Sequence, residues 1–412
     1  MSGSVRRGKV SAPRTRWKLS TTEHTEDTEE YTEDTEEYTE DTEEVSYDRC
    51  ASASSVGERF ALVLKDHPHR RFNPLRQEWV LVSPHRNDRP WQGHVDPPPS
   101  DAELTFDPAC YLCPGNERAR GIRNPLYAST FAFDNDFPAL MPTTPAFASA
   151  NDLLVTRSER GVCRVVCFSP RHDLTLARME LSALRAVVER WIEEYQRLAA
   201  IPWVQYAIVF ENRGPMMGAS NPHPHGQIWA TETVPNEPAR EQEAFTRHQS
   251  QHGECLLCSY AALETRLVER IVCGNDAFLA IVPFWAVWPF ETLLISRRHI
   301  GSLHELQDTE RAALADVLRR LFTRYDNLFE APFPYSMGFH QRPIGQQSEG
   351  DWHLHVHVYP PLMRSATIRK WIVGFELLGS PQRDLTPELA ASRLQGASER
   401  HYRLRAKEEA AR

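Results

Sequence analysis

Two short segments place histidines at every second position. In "HPHGQIW" (223–229) these are His223 and His225, followed by Gln227, and in "HLHVHVY" (353–359) three histidines alternate with Leu and Val. A period of two directs alternate side chains to one face of a strand. Three imidazoles on one face lose hydration unless they find partners, so a purely structural strand is disfavoured. The pattern predicts either metal ligation or phosphate chemistry at both segments.

Two Cys-x-x-Cys pairs could add thiolate ligands. Cys110 and Cys113 lie in "CYLC", and Cys255 and Cys258 lie in "CLLC". Thiolates at this spacing are typical of zinc sites, so one alternative is a single four-cysteine zinc site built from both pairs. The other interpretation gives the second pair no metal. It places these thiols in one helix through "CLLCSYAALETRLVERIV", where their burial in the core is ordinary.

The helices and strands that must position these residues occur in the same order twice. Apolar residues at helical spacing predict helices over residues 181–200 and 308–329. An apolar strand, a glycine-marked loop and a strand with alternating histidines follow each helix. Before the first helix, the Val-rich "GVCRVVCF" predicts a strand in which Cys163 and Cys167 are buried. The repeated order indicates a diverged internal duplication.

The N-terminal region differs in composition from the rest of the chain. The motif "TEDTEEY" recurs with a seven-residue period, but one Tyr per repeat cannot form an apolar coiled-coil seam, so disorder is predicted. Residues 19–48 carry 14 acidic residues and no Lys or Arg, which leaves 47 basic and 42 acidic residues elsewhere. This small positive excess suits small phosphate-bearing molecules and does not indicate a nucleic-acid partner. No segment has the apolar run of a membrane span or secretory signal, so a cytoplasmic location without membrane contact is expected.

Several longer motifs give the chain a resemblance to a known family. They are "RFNPLRQEWVLVSPHRNDRPWQG", "FDNDFPAL", "FENRG", "NPHPHGQIWA", "FPYSMGFH" and "PPLMRSATIRKWIVGFE". In this order they resemble the galactose-1-phosphate uridylyltransferases of the histidine-triad superfamily, over roughly residues 66–402. The resemblance implies an α+β fold in which two histidine-triad-like repeats form one mainly antiparallel sheet with flanking helices. The expected divisions are a disordered acidic tail (1–58), two repeats (59–235 and 236–402) and a charged C-terminal tail (403–412).

The resemblance also implies a reaction. UMP would pass from UDP-glucose to galactose 1-phosphate through a covalent uridylyl-histidine, in a homodimer that serves galactose metabolism. His225 would be the nucleophile, and an ordinary pKa of roughly 6.5 leaves imidazole mostly neutral at pH 7. Gln227 stands where hydrolytic members carry a third histidine, and an amide cannot activate water, which favours transfer over hydrolysis. The alternatives are an ADP-sugar or dinucleoside-polyphosphate phosphorylase, or a metal-stabilised nucleotide-binding protein without turnover.

Two metal sites are part of the same resemblance. The first is a structural zinc site with the ligands Cys110, Cys113, His172 and His223. The second would hold iron or zinc with the ligands Glu241, His340, His355 and His357. His353 stands where relatives carry Gln. Three roles stay open for it: a solvent-facing residue, a support behind the ligands, or an extra ligand of the second site.

The remaining candidate residues would bind substrate. The turn "MMGASNPHPH" offers backbone amides and the Ser220 hydroxyl to charge that develops on the phosphoryl oxygens, so Ser220 joins the catalytic set. The guanidinium groups of Arg86 and Arg89 match phosphoryl oxygens. The other expected contacts are Asn135, Asp136, Asn212, Gly218, Ala219, Lys370, Trp371, Phe375, Glu376 and Gln382, of which the last five would act in the partner subunit's site. Ala219 and Trp371 depart from the Cys and Phe that relatives often carry.

Overall fold

The computed structural model describes residues 64–90, 92–96, 104–345 and 352–410. The acidic repeat lies outside these ranges, so its disorder stays a prediction. The strands are β1 His69–Asn73, β2 Glu78–Val82, β3 Phe131–Asp134, β4 Ala148–Ser149, β5 Thr156–Arg157, β6 Gly161–Cys167, β7 Tyr206–Arg213, β8 His225–Thr231, β9 Ile271–Gly274, β10 Phe278–Ile281, β11 Thr292–Ser296, β12 Tyr335–His340, β13 His355–Tyr359, β14 Leu362–Ser365, β15 Ile368–Arg369 and β16 Gln382–Arg383. The helices are α1 Leu181–Ala199, α2 Asn236–His252, α3 Leu256–Leu267, α4 Asp308–Leu328, α5 Phe375–Leu378, α6 Pro387–Gly396 and α7 Tyr402–Ala410.

Nine strands form one antiparallel sheet in the order β3-β6-β8-β7-β12-β13-β11-β10-β9. This order is symmetrical about the joint between β7 and β12. On one side β6, α1, β7 and β8 follow one another along the chain, and on the other side β11, α4, β12 and β13 do so. The sheet therefore contains two units with the same succession of strand, helix, strand and strand. The predicted α+β class with a mainly antiparallel sheet is confirmed.

Helices α1 and α4 pack against each other and against the sheet. The buried residues of α1 recur at helical spacing, and they include Leu184, Val188 and Trp191. The Trp191 ring lies edge-on to Phe168, with centroids 5.7 Å apart, and tilted against Phe339 of β12 at 5.3 Å. A helix of the first unit thus packs on a strand of the second, which places both units around one core.

Buried polar contacts accompany the β7–β12 joint. Arg213 of β7 donates to both carboxylate oxygens of Asp326 on α4, at 2.8 and 3.0 Å. Tyr335 of β12 donates to Glu211 of β7 at 2.9 Å. Because a buried charge without its partner is costly, these pairs favour the arrangement that brings the two units together.

A second apolar cluster lies beneath α2 and α3. It contains Phe245 of α2 and Leu257 of α3, together with Leu293 and Ile295 of β11, whereas Leu294 between them belongs to the cluster with α4. Alternate side chains of β11 are therefore buried on opposite faces of the sheet. This packing fixes α2 against the sheet, where it presents its polar residues to β12 and β13.

Two helices differ from what the sequence predicted. The helix predicted through "CLLCSYAALETRLVERIV" ends at Leu267, because Val268 adopts a left-handed φ of 56° and its N–H donates to the Glu264 carbonyl at 2.8 Å. Residues 403–410, within the segment predicted as a charged C-terminal tail, are helical. Helix α7 begins where the Tyr402 N–H donates to Asn327 Oδ1 at 2.6 Å. Within the described ranges, no helix combines the length and apolarity that a membrane crossing requires.

Candidate active site and metal centres

Four buried side chains meet just before β8. Cys110 and Cys113 come from the loop before β3, His172 follows β6, and His223 precedes β8; their ligand atoms lie within 4.8 Å of one another. Cys113 Sγ lies 3.5 Å from Nδ1 of His172 and 3.5 Å from Nδ1 of His223. A sulfur and a nitrogen bound to one tetrahedral zinc ion lie about 3.5 Å apart, given bond lengths of about 2.3 and 2.0 Å. The four residues therefore fit the predicted zinc site.

The surroundings of His223 leave one ring nitrogen available to a metal. His223 Nε2 lies 2.9 Å from the Ser169 carbonyl, which can only accept, so Nε2 carries the proton. The Nδ1 lone pair then faces the thiols, an arrangement typical of metal-binding histidines. Burial lowers the pKa of His223 to about 4 and raises the pKa of the Cys113 thiol to about 11. The imidazole is thus ready to coordinate, whereas the thiolate needs a cation to form.

His225 begins β8, two residues after His223. Its Nδ1–H donates to the His223 carbonyl at 2.8 Å, so Nε2 keeps the lone pair. Burial lowers the pKa of His225 from its ordinary value of 6.5. A Cβ on the neighbouring Gly226 would lie 2.9 Å from the Phe210 carbonyl oxygen and 3.0 Å from the Phe168 ring, so only glycine permits this close packing. The result is a neutral imidazole, held at one nitrogen and free at the other.

Gln227 shares the strand face of His225, and its amide orientation is fixed. Trp229 Nε1 donates to Gln227 Oε1 at 3.0 Å, and Asn135 Nδ2 does so at 3.4 Å. With its oxygen used as an acceptor, Gln227 has its Nε2 protons left to donate. The structure therefore brings Asn135 to the strand face that carries His225, the predicted nucleophile. The adjacent Asp136 is instead paired with Arg118 at 3.1 Å.

The turn that leads to His223 contains Gly218, Ala219 and Ser220. Gly218 has a φ of 76°, a conformation that favours glycine. The Gly218 and Ala219 N–H groups donate within the turn, to the Pro215 carbonyl at 3.0 Å and the Gly214 carbonyl at 3.3 Å. These two amides are therefore already paired within the turn, and the other backbone amides of the turn and the Ser220 hydroxyl stay the donors predicted for a phosphoryl group.

Asn212 lies on β7, the strand next to β8. Its Oδ1 accepts a hydrogen bond from the Ser336 hydroxyl at 2.6 Å, across the joint between the two units. The contact fixes the side-chain oxygen and leaves the amide protons to donate. A predicted substrate residue is thus held in place by the second unit.

Glu241 of α2 meets three histidines of β12 and β13. Glu241 Oε2 lies 2.6 Å from His340 Nδ1 and 3.3 Å from His355 Nε2, and Oε1 lies 3.0 Å from His357 Nε2. Burial acts to raise the pKa of Glu241, but the histidines hold that pKa well below its ordinary value. Burial lowers the pKa of His357 to about 4. One carboxylate and three imidazoles fit iron or zinc, so these residues suit the predicted second site.

Two of the remaining predicted substrate residues contact Asp384, beside β2 and β16. Arg86 Nε lies 3.1 Å from Asp384 Oδ1, and Gln382 Nε2 lies 2.6 Å from the same oxygen. Lys370 donates to the Gln382 carbonyl at 2.5 Å and to the Glu376 carboxylate. Arg86, Arg89, Trp371 and Phe375 are exposed. Within the described ranges, the side-chain hydrogen bonds of Arg86, Lys370 and Gln382 run to Asp384, Glu376 and the Gln382 carbonyl, and none of them reaches His225.

Cys255 and Cys258 form a cluster that the sequence predictions did not include. They meet His299 and His353, with all four ligand atoms within 4.8 Å of one another. The four-cysteine zinc site is therefore wrong, because each cysteine pair faces two histidines of its own. The predicted burial of the second pair in the core is also wrong, because both side chains are only half-buried.

His353 belongs to this third cluster rather than to the Glu241 cluster. Its side chain is 1% exposed, so the solvent-facing role is wrong, and its Nδ1 faces the thiols, so it is not an extra ligand of Glu241's site. His299 went unpredicted. A signal was present, because "SPRH" (169–172) recurs as "SRRH" (296–299), and the last residue of each lies in a cysteine cluster.

Known proteins match most of the chain. Residues 60–235 match the family described as Galactose-1-phosphate uridyl transferase, N-terminal domain, and residues 241–406 match its C-terminal domain. The galactose-1-phosphate uridylyltransferases of Haemophilus influenzae and Rattus norvegicus are each 49% identical to it, over 83% of this chain and 98% and 91% of their own lengths. A solved uridylyltransferase structure, 30% identical, covers 79% of this chain and 97% of its own, with a TM-score of 0.61. An ADP-glucose phosphorylase from Arabidopsis thaliana, 22% identical over 80% of this chain and 99% of its own, shares the fold with a TM-score of 0.63.

Proposed function

The chain belongs to the galactose-1-phosphate uridyl transferase family, and on that premise we propose that it transfers UMP from UDP-glucose to galactose 1-phosphate. It is then a nucleotidyltransferase, a UDP-glucose–hexose-1-phosphate uridylyltransferase of the Leloir pathway, and its products are UDP-galactose and glucose 1-phosphate. The observation that carries the mechanism is the 2.8 Å hydrogen bond from His225 Nδ1 to the His223 carbonyl. It leaves Nε2 unprotonated and free to attack.

In the first half-reaction, His225 Nε2 attacks the α-phosphorus of UDP-glucose. A P–N bond forms, the bond from that phosphorus to the oxygen of glucose 1-phosphate breaks, and its electron pair leaves with glucose 1-phosphate. No base is needed to deprotonate the nucleophile. The positive charge that develops on the ring is stabilised by the Nδ1–H bond to the His223 carbonyl, which strengthens as the ring becomes cationic.

In the second half-reaction, a phosphate oxygen of galactose 1-phosphate attacks the same phosphorus. The P–N bond breaks, its electron pair returns to His225, and UDP-galactose leaves. The amide protons of Gln227 donate to a phosphoryl oxygen in both steps, since Gln227 Oε1 is occupied by Trp229 and Asn135. Gln227 cannot accept a proton from water, so transfer is favoured over hydrolysis. The Ser220 hydroxyl supplies a further donor.

The two family metal sites would differ in their ligands and in the metals that they accept. Cys110, Cys113, His172 and His223 would hold structural zinc, since four protein ligands leave no open position. Bound there, zinc would anchor the start of β8 and so fix the carbonyl that orients His225. Glu241, His340, His355 and His357 would hold iron or zinc.

The substrate residues fall into two sets. Asn135, Asp136, Asn212 and the turn residues Gly218, Ala219 and Ser220 would contact the uridylyl group in the chain that carries His225. Arg86 and Arg89 would bind phosphate. Lys370, Glu376 and Gln382 hydrogen-bond with one another and with Asp384 rather than with His225, and we assign them, together with Trp371 and Phe375, to the partner's active site within a homodimer. We place this dimer in the cytoplasm.

Isotope exchange tests the function and the nucleophile together. Label should move between glucose 1-phosphate and UDP-glucose without galactose 1-phosphate, because a covalent intermediate completes the first half-reaction alone. His225→Gly should abolish the exchange while it keeps its circular dichroism spectrum and zinc content. His252→Gly, at an exposed histidine that ends α2, is the matched control and should exchange normally.

Other outcomes identify the alternatives. Exchange with ADP-glucose alone would indicate a phosphorylase. Tight nucleotide binding without any exchange would indicate a binding protein. Either result, or full activity in His225→Gly, contradicts the proposal.

A further inference from the structure

The third cluster has the geometry of a metal site. Cys255 precedes α3 and Cys258 lies in its first turn. Cys258 Sγ lies 3.5 Å from His299 Nδ1 and 3.4 Å from His353 Nδ1, and Cys255 Sγ lies 3.5 Å from His353 Nδ1. These separations match the roughly 3.5 Å expected between a sulfur and a nitrogen bound to one tetrahedral zinc ion.

The protonation of His353 argues against thiol hydrogen bonds as the explanation. His353 Nε2 lies 2.6 Å from the Ser296 carbonyl, which can only accept, so Nε2 carries the proton and Nδ1 has one lone pair. Two sulfurs lie within 3.5 Å of that single lone pair. One lone pair cannot be the partner of two thiols at once, whereas a cation at the centre of the group uses all four donors.

The third cluster reproduces the first in its supporting contacts. The Ser169 carbonyl accepts from His223 and the Ser296 carbonyl accepts from His353, and a cluster histidine follows each serine by three residues. In both units the histidine two residues after the cluster histidine donates its Nδ1–H back to the carbonyl of that cluster histidine, at 2.8 and 2.7 Å. The second unit therefore repeats both the four ligand side chains and the supporting hydrogen bonds of the cluster that fits zinc in the first unit.

We propose that Cys255, Cys258, His299 and His353 bind a structural zinc ion, the third metal ion of the chain. The four protein ligands leave no position for water, so the ion stabilises the fold and takes no part in the chemistry. It links the start of α3 to His299, in the segment after β11, and to His353, two residues before the start of β13. Through the His353 carbonyl it supports His355, so this ion positions the strand that carries two residues of the Glu241 cluster.

Metal analysis of the purified full-length protein tests the site. Cys255→Ser combined with Cys258→Ser should lose one equivalent of zinc per chain, measured by inductively coupled plasma mass spectrometry. Cys273→Ser is the matched control, because Cys273 is a buried thiol of β9 outside the described clusters, and it should keep the zinc content of the wild-type protein. Equal zinc in the double variant and the control would overturn the proposal.

Alkylation of the wild-type protein gives a second test of the site, and this test does not require any variant to fold. Cys255 and Cys258 are only half-buried, so iodoacetamide can reach them unless their sulfurs are coordinated. Both should resist alkylation in the protein as purified and react after a chelator removes the metal, as peptide mass spectrometry would show. Reaction at the same rate before and after chelation would refute the site. Neither readout uses activity, so failure of the uridylyl-transfer assignment would leave this outcome unchanged.

Discussion

His225 and His355 occupy corresponding positions in the two units, but their second ring nitrogens meet different surroundings. Each donates Nδ1–H to the carbonyl two residues earlier. His355 Nε2 lies 3.3 Å from Glu241, within the predicted second metal site. Because a coordinated imidazole cannot attack phosphorus, Glu241 would make His355 a ligand where its counterpart His225 is the proposed nucleophile.

The side chain two residues after the nucleophile should decide between transfer and hydrolysis. Gln227→His places an imidazole on the same strand face, where it can take a proton from water, and general-base catalysis contributes about 10²–10⁴-fold. We expect UMP release from UDP-glucose, without galactose 1-phosphate, to rise roughly tenfold, below that range because the positioning contacts from Trp229 and Asn135 are lost. Gln227→Ala is the control and should show no rise. Unchanged UMP release in the histidine variant would contradict this role.

At this scale the sequence predicted two clusters and missed a third. The alternating histidines and the first cysteine pair could be assigned, because a family resemblance indicated which residues meet. Cys255 and Cys258 could equally belong to a buried helix face, and periodicity cannot distinguish a core thiol from a ligand thiol. His299 was missed although "SRRH" repeats "SPRH", because a four-residue similarity does not show that the segment after β11 folds back beside α3.

Strand β7 carries a carboxyl group whose protonation is linked to stability. Glu211 is buried with Tyr335, Arg213 and Asp326 around it, and burial raises its pKa from 4.5 to about 7. A raised pKa means that the folded state binds the proton more tightly than the unfolded state. The stabilisation is therefore full below pH 4.5 and is lost as the pH rises through about 7, by up to about 3 kcal/mol.

Glu211→Gln should remove this dependence, because an amide keeps the shape of the protonated carboxyl group. The melting temperature of the variant should be close to that of the wild-type protein at pH 5 and clearly higher than it at pH 8. Differential scanning fluorimetry measures both. Glu193→Gln, on the exposed side of α1, is the control and should show the same difference at both pH values. A wild-type protein that is as stable at pH 8 as the variant would refute the raised pKa.

The helices and strands themselves were largely predictable, and the failures have local causes. α1 and α4 follow from apolar spacing, and their predicted ends differ from the observed ones by a single residue. The end of α3 was missed since no Gly or Pro marks it and Val268 adopts a conformation that β-branched residues rarely take. Helix α7 was missed because its charged sequence has no apolar face, and its first turn depends on a distant contact with Asn327.

For the whole molecule, the internal repeat predicted two similar units but not the way they join. Any edge strand can pair with another in principle, and sequence alone does not select β7 with β12. The selection lies in tertiary contacts: Asp326 accepts from Arg213 of β7, from the Phe333 N–H at 2.9 Å and from His401, before α7, at 3.1 Å. One carboxylate therefore links the first unit, the second unit and the C-terminal segment.

Asp326→Ala should weaken the molecule as a whole. It leaves Arg213 buried without its partner, and the loss of one member of a buried ion pair costs about 3–5 kcal/mol. Urea unfolding followed by tryptophan fluorescence should show a lower midpoint by that amount. Glu193→Ala, which removes a surface ion pair with Arg190, should change stability by less than about 1 kcal/mol. Equal midpoints for the two variants would show that the joint does not depend on Asp326.

The thiols of the two cysteine clusters differ in burial, and this difference determines which cluster is oxidised first. Cys110 and Cys113 are 5% and 0% exposed, whereas Cys255 and Cys258 are half-buried. Oxidants and soft metal ions reach the shallower thiols first. Under such stress the second unit would lose its cluster while the strand with His225 was still anchored. Oxidative damage would therefore begin in the second unit, and His225 would be among the last residues to lose its structural support.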